Sequence, residues 1–295
     1  RPTPAKEGGP AILRAITEAV TEALAVARLT AGEIGAVGVG SPGPLDSERG
    51  VILFSPNMAV ENFPLGPELA NTLGVPVLVQ NDVRVGGYGE FRLGAGQGYR
   101  NLLAAFVGTG IGGCVIVDGK VVAGHTGNAG EIGHLCIKTK GPRCGCGRRG
   151  CMEALASRTA IARRLGKAIR RGASTLLKDN LGGKADKLKS RDLAAAYKAG
   201  DAVTVKEVHR AAHYLGVGLG SLMSVLGPEM VIIGGGVAEA LGKPYLDAIR
   251  ASARAQTLAD PEAQIKIELA KLGDDAGILG ASLLARERFL APPIG

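Results

Sequence analysis

Tryptophan is absent from the 295-residue chain and aromatic residues make up only 3% of it, which excludes the stacking platforms that read single-stranded nucleic acid. No uncharged apolar run reaches the roughly 20 residues a membrane span needs. The longest, Leu215 to Pro228, is broken by glycines and is expected to be a buried helix end. Cysteines are few and unevenly spread, at positions 114, 136, 144, 146 and 151. An odd, clustered set makes no disulfide framework and suits a metal site in a reducing compartment, so a cytoplasmic location is expected. The first residue is arginine rather than methionine, so the natural start is expected to be missing and no signal peptide can be sought there.

Glycine is what the chain has in excess, with 46 residues, about twice the usual roughly 7%. Together with 46% hydrophobic and 21% charged residues, this excludes disorder and points to many tight strand-to-loop turns. The length suits two modest domains or one large α/β unit. A formal charge of +8 leaves polyanions or phosphorylated small molecules as candidate partners, with a solvated basic surface as the plainer explanation.

Ile12, Ile16, Val20 and Leu24 recur every four residues and predict an opening helix between Gly9 and Leu29. Ile34–Val39, Val51–Phe54 and Val75–Val79 read as strands, as do Asn101–Val107 and Cys114–Val117, with a tight turn at Asp118-Gly119 into Val121-Val122. Glu153–Arg171 and Arg191–Lys198 read as helices, separated by an exposed loop over Gly182–Ser190. A long helix follows through Val208, Leu215 and Leu226, then a strand Val231–Ile233 running into Gly234, Gly235 and Gly236, a last strand Ile265–Leu269, and a last helix Ala276–Phe289. In that last helix Gly277, Gly280 and Ala281 would permit close packing. No fixed-period repeat is present. Strands ending in glycine, alternating with helices, fit a two-domain α/β protein with its ligand at the strand ends.

His134, Cys144, Cys146 and Cys151 form a His-x9-Cys-x-Cys-x4-Cys set, the donor composition of a closed, structural Zn2+ site. Glycines 141, 145, 147 and 150 would let the loop fold around one ion. Cys114 and Cys136 fall outside the set and are expected to be small core residues. His209 and His213 lie one helical turn apart, but Arg210 stands where a metalloprotease helix has glutamate. Asn81-Asp82 ends a strand and precedes a helix, which suits either a helix cap or a general base at a strand's carboxyl end. The run Gly108 to Gly113, with Thr109, leads into a strand rather than a helix; it is no dinucleotide fingerprint but can form a phosphate-holding hairpin from unshielded backbone N–H groups. Thr159 to Gly166 has the alanine-to-glycine spacing of a DNA-reading helix-turn-helix. Arg170, Arg171 and Gly172 follow where a second helix needs an apolar position.

Ser41-Pro42-Gly43-Pro44, Asn81-Asp82, the Thr109 loop, Gly130-Glu131-Ile132-Gly133-His134, the stretch Cys144 to Glu153 and the glycines 234 to 236 occur in one order. In these motifs the chain resembles, over essentially its whole length, the ROK family of sugar kinases and sugar-responsive repressors. The resemblance implies an α/β, actin-like (ribonuclease H-like) two-domain sugar kinase fold with the ligand in the interdomain cleft. It implies a small domain over residues 1–99, completed by the C-terminal helix 275–295, and a larger domain over 100–274 carrying the zinc loop 134–151. Asp82 would be the catalytic base. Gly43, Asn57, Asn81, Asp82, Glu131, His134 and Glu153 would surround the sugar hydroxyls, His134 also binding zinc. Gly108, Thr109, Gly110, Gly112, Gly234, Gly235 and Gly236 would meet ATP, accompanied by Mg2+.

The implied activity is ATP-dependent phosphorylation of glucose at the C6 hydroxyl, in a homodimer or homotetramer without membrane or nucleic-acid partners. Kinases of N-acetylated hexosamines, mannose or fructose are alternatives. So is a sugar-responsive repressor that has lost its DNA-binding domain. Two departures stand out. Family kinases begin with a strand and an Asp-x-Gly-Gly-Thr phosphate loop ahead of the segment that resembles Arg1-Pro2-Thr3-Pro4, and the expectation is that the chain without it is inactive and aggregates. The helix after Asp82 carries Val83-Arg84-Val85-Gly86-Gly87, where many relatives have Ala or Asn.

Overall fold

The computed structural model describes residues 3–181, 188–258 and 265–290. In chain order the elements begin with α1 (Gly9–Ala27), β1 (Val37–Ser41), β2 (Leu45–Asp46), β3 (Val51–Ser55), β4 (Val60–Phe63), α2 (Leu65–Leu73), β5 (Val77–Asn81), α3 (Asp82–Leu93), β6 (Leu102–Val107), β7 (Ile111–Val117) and β8 (Lys120–Val121). They continue with α4 (Met152–Ala156), α5 (Arg158–Arg170), α6 (Lys178–Leu181), α7 (Ser190–Lys198), α8 (Ala202–Leu226), β9 (Met230–Gly234), α9 (Gly236–Leu241), α10 (Lys243–Arg254), β10 (Lys266–Leu269) and α11 (Asp275–Phe289). The chain divides into two compact units, one of Arg1–Leu93, Ala123–Ala129 and Asp274–Gly295, the other of Gly94–Val122 and Gly130–Gly273. Residues 94–99 therefore group with the larger unit, and the excursion 123–129 with the smaller.

In the smaller unit β1 and β5 pair in parallel, with Ser41 opposite Asn81 at their carboxyl ends, and β2-β3-β4 form an antiparallel sheet. Ile12, Ile52, Leu65, Leu69 and Val79 are among the residues of its core. Only the first turns of α1 are buried there, and Val26 near its far end is 87% exposed. Helices α3 and α11 pack backbone to backbone. A Cβ on Gly280 would stand 1.7 Å from the Val85 carbonyl oxygen, and one on Gly89 2.3 Å from that of Ala276. These two glycines, rather than Gly277, which has open space around it, set the helix separation. Buried Arg84 on α3 donates to the carbonyl of Ala129 at 2.6 Å and so ties the excursion 123–129 to this unit.

The larger unit is built on a five-stranded sheet in the order β10-β9-β6-β7-β8. Strands β10, β9 and β6 are parallel, and β6, β7 and β8 antiparallel. Strand β9 is buried along its whole length, as a central strand covered on both faces must be. Leu103, Leu165, Leu193, Leu215, Leu219 and Ile233 belong to its core.

Several elements differ from the sequence reading. Strand β1 starts at Val37 rather than Ile34, because Thr30 and Glu33 form a capping box on a short 3-10 turn, Ala31–Glu33. Strand β5 runs two residues further than Val79 and so carries Asn81. The helix expected over 153–171 is two helices, broken at Ser157, whose extended backbone and side chain cap α5 by accepting from Ala160 N at 3.2 Å. Segment 159–166 is internal to α5 and contains no turn, in line with its rejection as a helix-turn-helix on the residues that follow it. Most of the loop expected at 182–190 lies outside the described residues, and Leu188 at its end is buried. The end of α8 surfaces at Val225, 80% exposed, instead of staying buried. Among the described residues no helix is long and apolar enough to cross a membrane.

Candidate active site and metal centre

In the smaller unit the parallel strands β1 and β5 deliver Ser41 and Asn81 to one sheet end. Asn81 takes the capping role: its Oδ1 accepts from the backbone N–H groups of Val83 and Arg84 at 3.0 and 3.1 Å. Asp82 is exposed; its Oδ1 accepts from the neighbouring Val83 N–H at 2.9 Å, and its own backbone N–H also bonds the carboxylate. Among the described residues no side chain bonds this carboxylate. The protein mass around Asp82 raises its pKa above the ordinary aspartate value by desolvation, while the Val83 N–H bond works the other way. Gly43, with φ +93°, lies against the carbonyl of Phe54, and Asn57 is exposed on the short 3-10 turn Pro56–Met58.

In the larger unit, Gly108, Thr109 and Gly110 make the three-residue turn between β6 and β7, while Gly112 is already a strand residue, opposite Phe106. The turn is held from several sides. Arg158 donates from Nη2 to Thr109 Oγ1 at 2.7 Å, Thr159 Oγ1 donates to the Thr109 carbonyl at 2.8 Å, and the Arg158 amide donates to the Gly108 carbonyl at 3.0 Å. Gly234 ends β9. Gly235, with φ +84°, passes so close to Val107 that a Cβ would be 2.8 Å from its backbone nitrogen, and Gly236 faces the Ser190 hydroxyl. The two glycine segments thus converge at the ends of adjacent parallel strands, a common place for phosphate groups in α/β sheets.

Glu153, on the first turn of α4, was expected at a sugar hydroxyl. It lies at the junction of turn and metal loop: Oε2 accepts from the Ile111 amide at 3.0 Å and Oε1 from the Cys144 thiol at 3.5 Å. Glu131 is exposed and precedes the short turn Ile132–His134.

The sulfur and nitrogen donors of His134, Cys144, Cys146 and Cys151 lie within 4.8 Å of one another. His134 Nδ1 is 3.7 Å from Cys144 Sγ, and Cys146 Sγ is 3.7 Å from Cys151 Sγ. A tetrahedron with Zn–S bonds of about 2.3 Å has edges of about 3.8 Å, so the set fits zinc. The Arg148 backbone N–H pulls the Cys146 thiol down to about 6, and burial pushes Cys144 up to about 12. Gly150 is needed here, since a Cβ would stand 1.8 Å from the Lys138 carbonyl oxygen; Gly145 has open space around it. Cys114 is buried as expected, but Cys136 is exposed: its backbone pairs with that of Cys151, and its free thiol donates to the Arg149 carbonyl at 3.4 Å. His209 and His213 have separate partners, Tyr197 OH and Ser252 Oγ, and form no pair.

The profile of the ROK family matches residues 1–288. The chain belongs to the ROK family. It is 33% identical over 97% of its length to a glucokinase of Halalkalibacterium halodurans, covering 87% of that protein. Among solved structures it is similar to a ROK hexokinase from Thermus thermophilus (TM-score 0.83, 37% identity, 98% of this chain and 89% of that one). It is also similar to a ROK glucokinase from Streptomyces griseus in complex with glucose and AMPPNP (TM-score 0.81, 35% identity, 97% and 90%). A ROK transcriptional regulator, described as a homologue of the E. coli MLC protein, matches at TM-score 0.83 and 28% identity, over 96% of this chain and 70% of that one. The fold is therefore the α/β, actin-like fold of ROK sugar kinases.

Arg158 and its grip on Thr109 were missed in the sequence. The only signal was an arginine at the first position after a helix-capping serine, a pattern shared by many structural helices.

Proposed function

We propose that this chain is an ATP-dependent hexose kinase that phosphorylates the C6 hydroxyl of glucose, with Asp82 as general base. One observation carries the reading. Asn81 caps α3, which leaves Asp82 at a strand end with its carboxylate bonded by no side chain and a raised pKa. The kinase relatives, one solved with glucose and an ATP analogue, support the substrate class.

In this mechanism the Asp82 carboxylate accepts the proton of the C6 hydroxyl as the hydroxyl oxygen attacks the γ-phosphorus in line. The bond to the bridging oxygen breaks and ADP leaves. The 108–110 turn offers backbone donors and the Thr109 hydroxyl to the phosphate oxygens, with Arg158 fixing Thr109. Gly234, Gly235 and Gly236 give close backbone approach on the neighbouring strand. Asn57, Asn81, Glu131, His134 and Glu153 are assigned to the sugar hydroxyls, with Gly43 keeping that wall shallow. Mg2+ bound with the nucleotide would offset phosphate charge. His134, Cys144, Cys146 and Cys151 would hold one structural Zn2+, which would cross-link the loop that carries Glu131 to the helix that carries Glu153. We place the enzyme in the cytoplasm, as a homodimer or homotetramer.

A coupled assay of ADP release with glucose, mannose, fructose and N-acetylated hexosamines tests the reading. Turnover highest with glucose supports it. A different preferred hexose moves the specificity within the class. A second reading, a sugar-responsive regulator, is favoured by the likeness to the ROK regulator; glucose binding without turnover on any hexose would select it.

A further inference from the structure

The larger unit contains a cavity of about 950 Å3 to which neither the hexose nor the nucleotide residues contribute. Helix α5 lines it with Arg163, Lys167 and Arg170, which follow one another at helical spacing, and with Arg164; Arg171, just past the end of the helix, joins them. Lys206 and Arg210 of α8 and Lys138 and Lys140 of the metal loop complete nine cationic side chains against a single carboxylate, Glu207.

That carboxylate is already committed. Arg164 and Glu207 form a buried ion pair, and Arg164 also donates to the Leu155 carbonyl at 2.7 Å. Arg163 is tied to the Ala154 carbonyl at 2.6 Å and Lys138 to the Tyr214 hydroxyl at 3.2 Å. Lys140, Lys167, Arg170, Arg171 and Lys206 have no carboxylate partner among the described residues. Like charges one helical turn apart repel, and concave, low-dielectric walls concentrate their field. Nothing in the packing of α5 requires this crowding, since its buried side is made by Ala160, Ile161, Ala162 and Leu165.

The ligand class follows from charge, shape and the lack of stacking surface. Guanidinium forks match phosphate oxygens in pairs. The volume is that of a small-molecule site, typically about 300–1,000 Å3. Tyr214 is the only aromatic residue in the lining, with Lys138 bonded at its hydroxyl edge, and a single ring offers no run of surfaces on which successive bases could stack. We propose that this cavity binds a compact polyanion carrying three or more linked phosphate groups.

Sodium tripolyphosphate is the probe, titrated calorimetrically into the purified full chain and into a Lys167→Glu/Arg170→Glu variant. Both positions are exposed, and an unchanged thermal midpoint checks that the variant folds. The assignment expects saturable one-to-one binding, weakened by rising salt and weakened at least tenfold in the variant. ATP as competitor distinguishes the source, read on the part of the binding that the variant loses: displacement of that part means that a nucleotide's phosphate tail also enters, its persistence means a free condensed phosphate, and binding displaced by ATP equally in wild type and variant belongs to the nucleotide site and overturns the assignment. Absence of saturable binding, or equal binding by the variant, overturns the proposal. Tighter binding of a single-stranded RNA decamer that depends on the same two residues overturns the ligand class. The part of the binding lost in the variant stands apart from the kinase reading, whose nucleotide site has its own hold on a triphosphate and contains neither Lys167 nor Arg170.

Discussion

Glu153 accepts the backbone N–H of Ile111 at 3.0 Å with one carboxylate oxygen, while the other meets the Cys144 thiol. The turn that would grip phosphate and the loop that would hold zinc are thus joined through one side chain. A Cβ on Gly110 would stand 2.3 Å from Glu153 Oε2. Gly110→Ala is therefore expected to displace Glu153 and leave the Ile111 amide without its acceptor, at about 1–3 kcal/mol of stability. Misplacement of the turn should lower kcat/KM by roughly tenfold or more. Thermal melts and steady-state kinetics check both, and a variant with unchanged values of each would contradict the linkage.

The four-donor geometry predicts one zinc per chain in protein purified without chelator. Cys151→Ser should lose the metal and at least about 2 kcal/mol of stability, because metal binding at such a site is part of folding. Elemental analysis and denaturant titration are the measurements. Protein free of zinc yet equally stable would remove the metal from the account.

Asn81→Ala should destabilise α3 by about 1 kcal/mol, the usual cost of losing a side-chain cap. It should also lower turnover, since Asp82 begins the helix that Asn81 fixes. Urea titration and kcat are read together, and a stability unchanged by the substitution would show that another group caps the helix.

Glu229 Oε2 accepts from the backbone N–H groups of Arg100 and Asn101, both at 2.7 Å, and the Arg100 bond, then the Asn101 bond, holds its carboxyl below the ordinary glutamate value. A lowered pKa means that the unfolded chain takes up the proton first. The stabilisation is present above the unfolded value near 4.5 and is lost as pH falls through the folded one. Glu229→Gln should therefore flatten the acid side of a stability-against-pH profile, and an unaltered profile would contradict this assignment.

Much of this was legible before any coordinates. Periodicity located α8, whose apolar residues repeat along its length, a short apolar run ending in glycines located β9, and ligand spacing alone picked out the metal set. Sequence could not decide between Asn81 and Asp82 as the cap, since either residue type caps helices and only atomic position separates them. It joined α4 to α5 because Ser157 is compatible with a helix interior, and only its extended backbone shows the break. It placed Cys136 in the core by residue type, whereas that thiol is exposed and meets the Arg149 carbonyl. Arg84 and Arg158 act through contacts 45 and 49 residues away in the chain, which no local pattern encodes.

The central claim, that Asp82 is the base of a hexose kinase, is tested most directly by comparing wild-type protein with Asp82→Asn for turnover and for glucose affinity. The substitution keeps the side chain's shape but removes its basicity. The account predicts that kcat falls by about 10² to 10⁴ while glucose affinity changes little. In the wild type, activity should decline on acidification at a pH above the ordinary aspartate value of 3.8, because protonation of a raised-pKa carboxylate removes the base. Wild-type turnover in Asp82→Asn would contradict the claim outright.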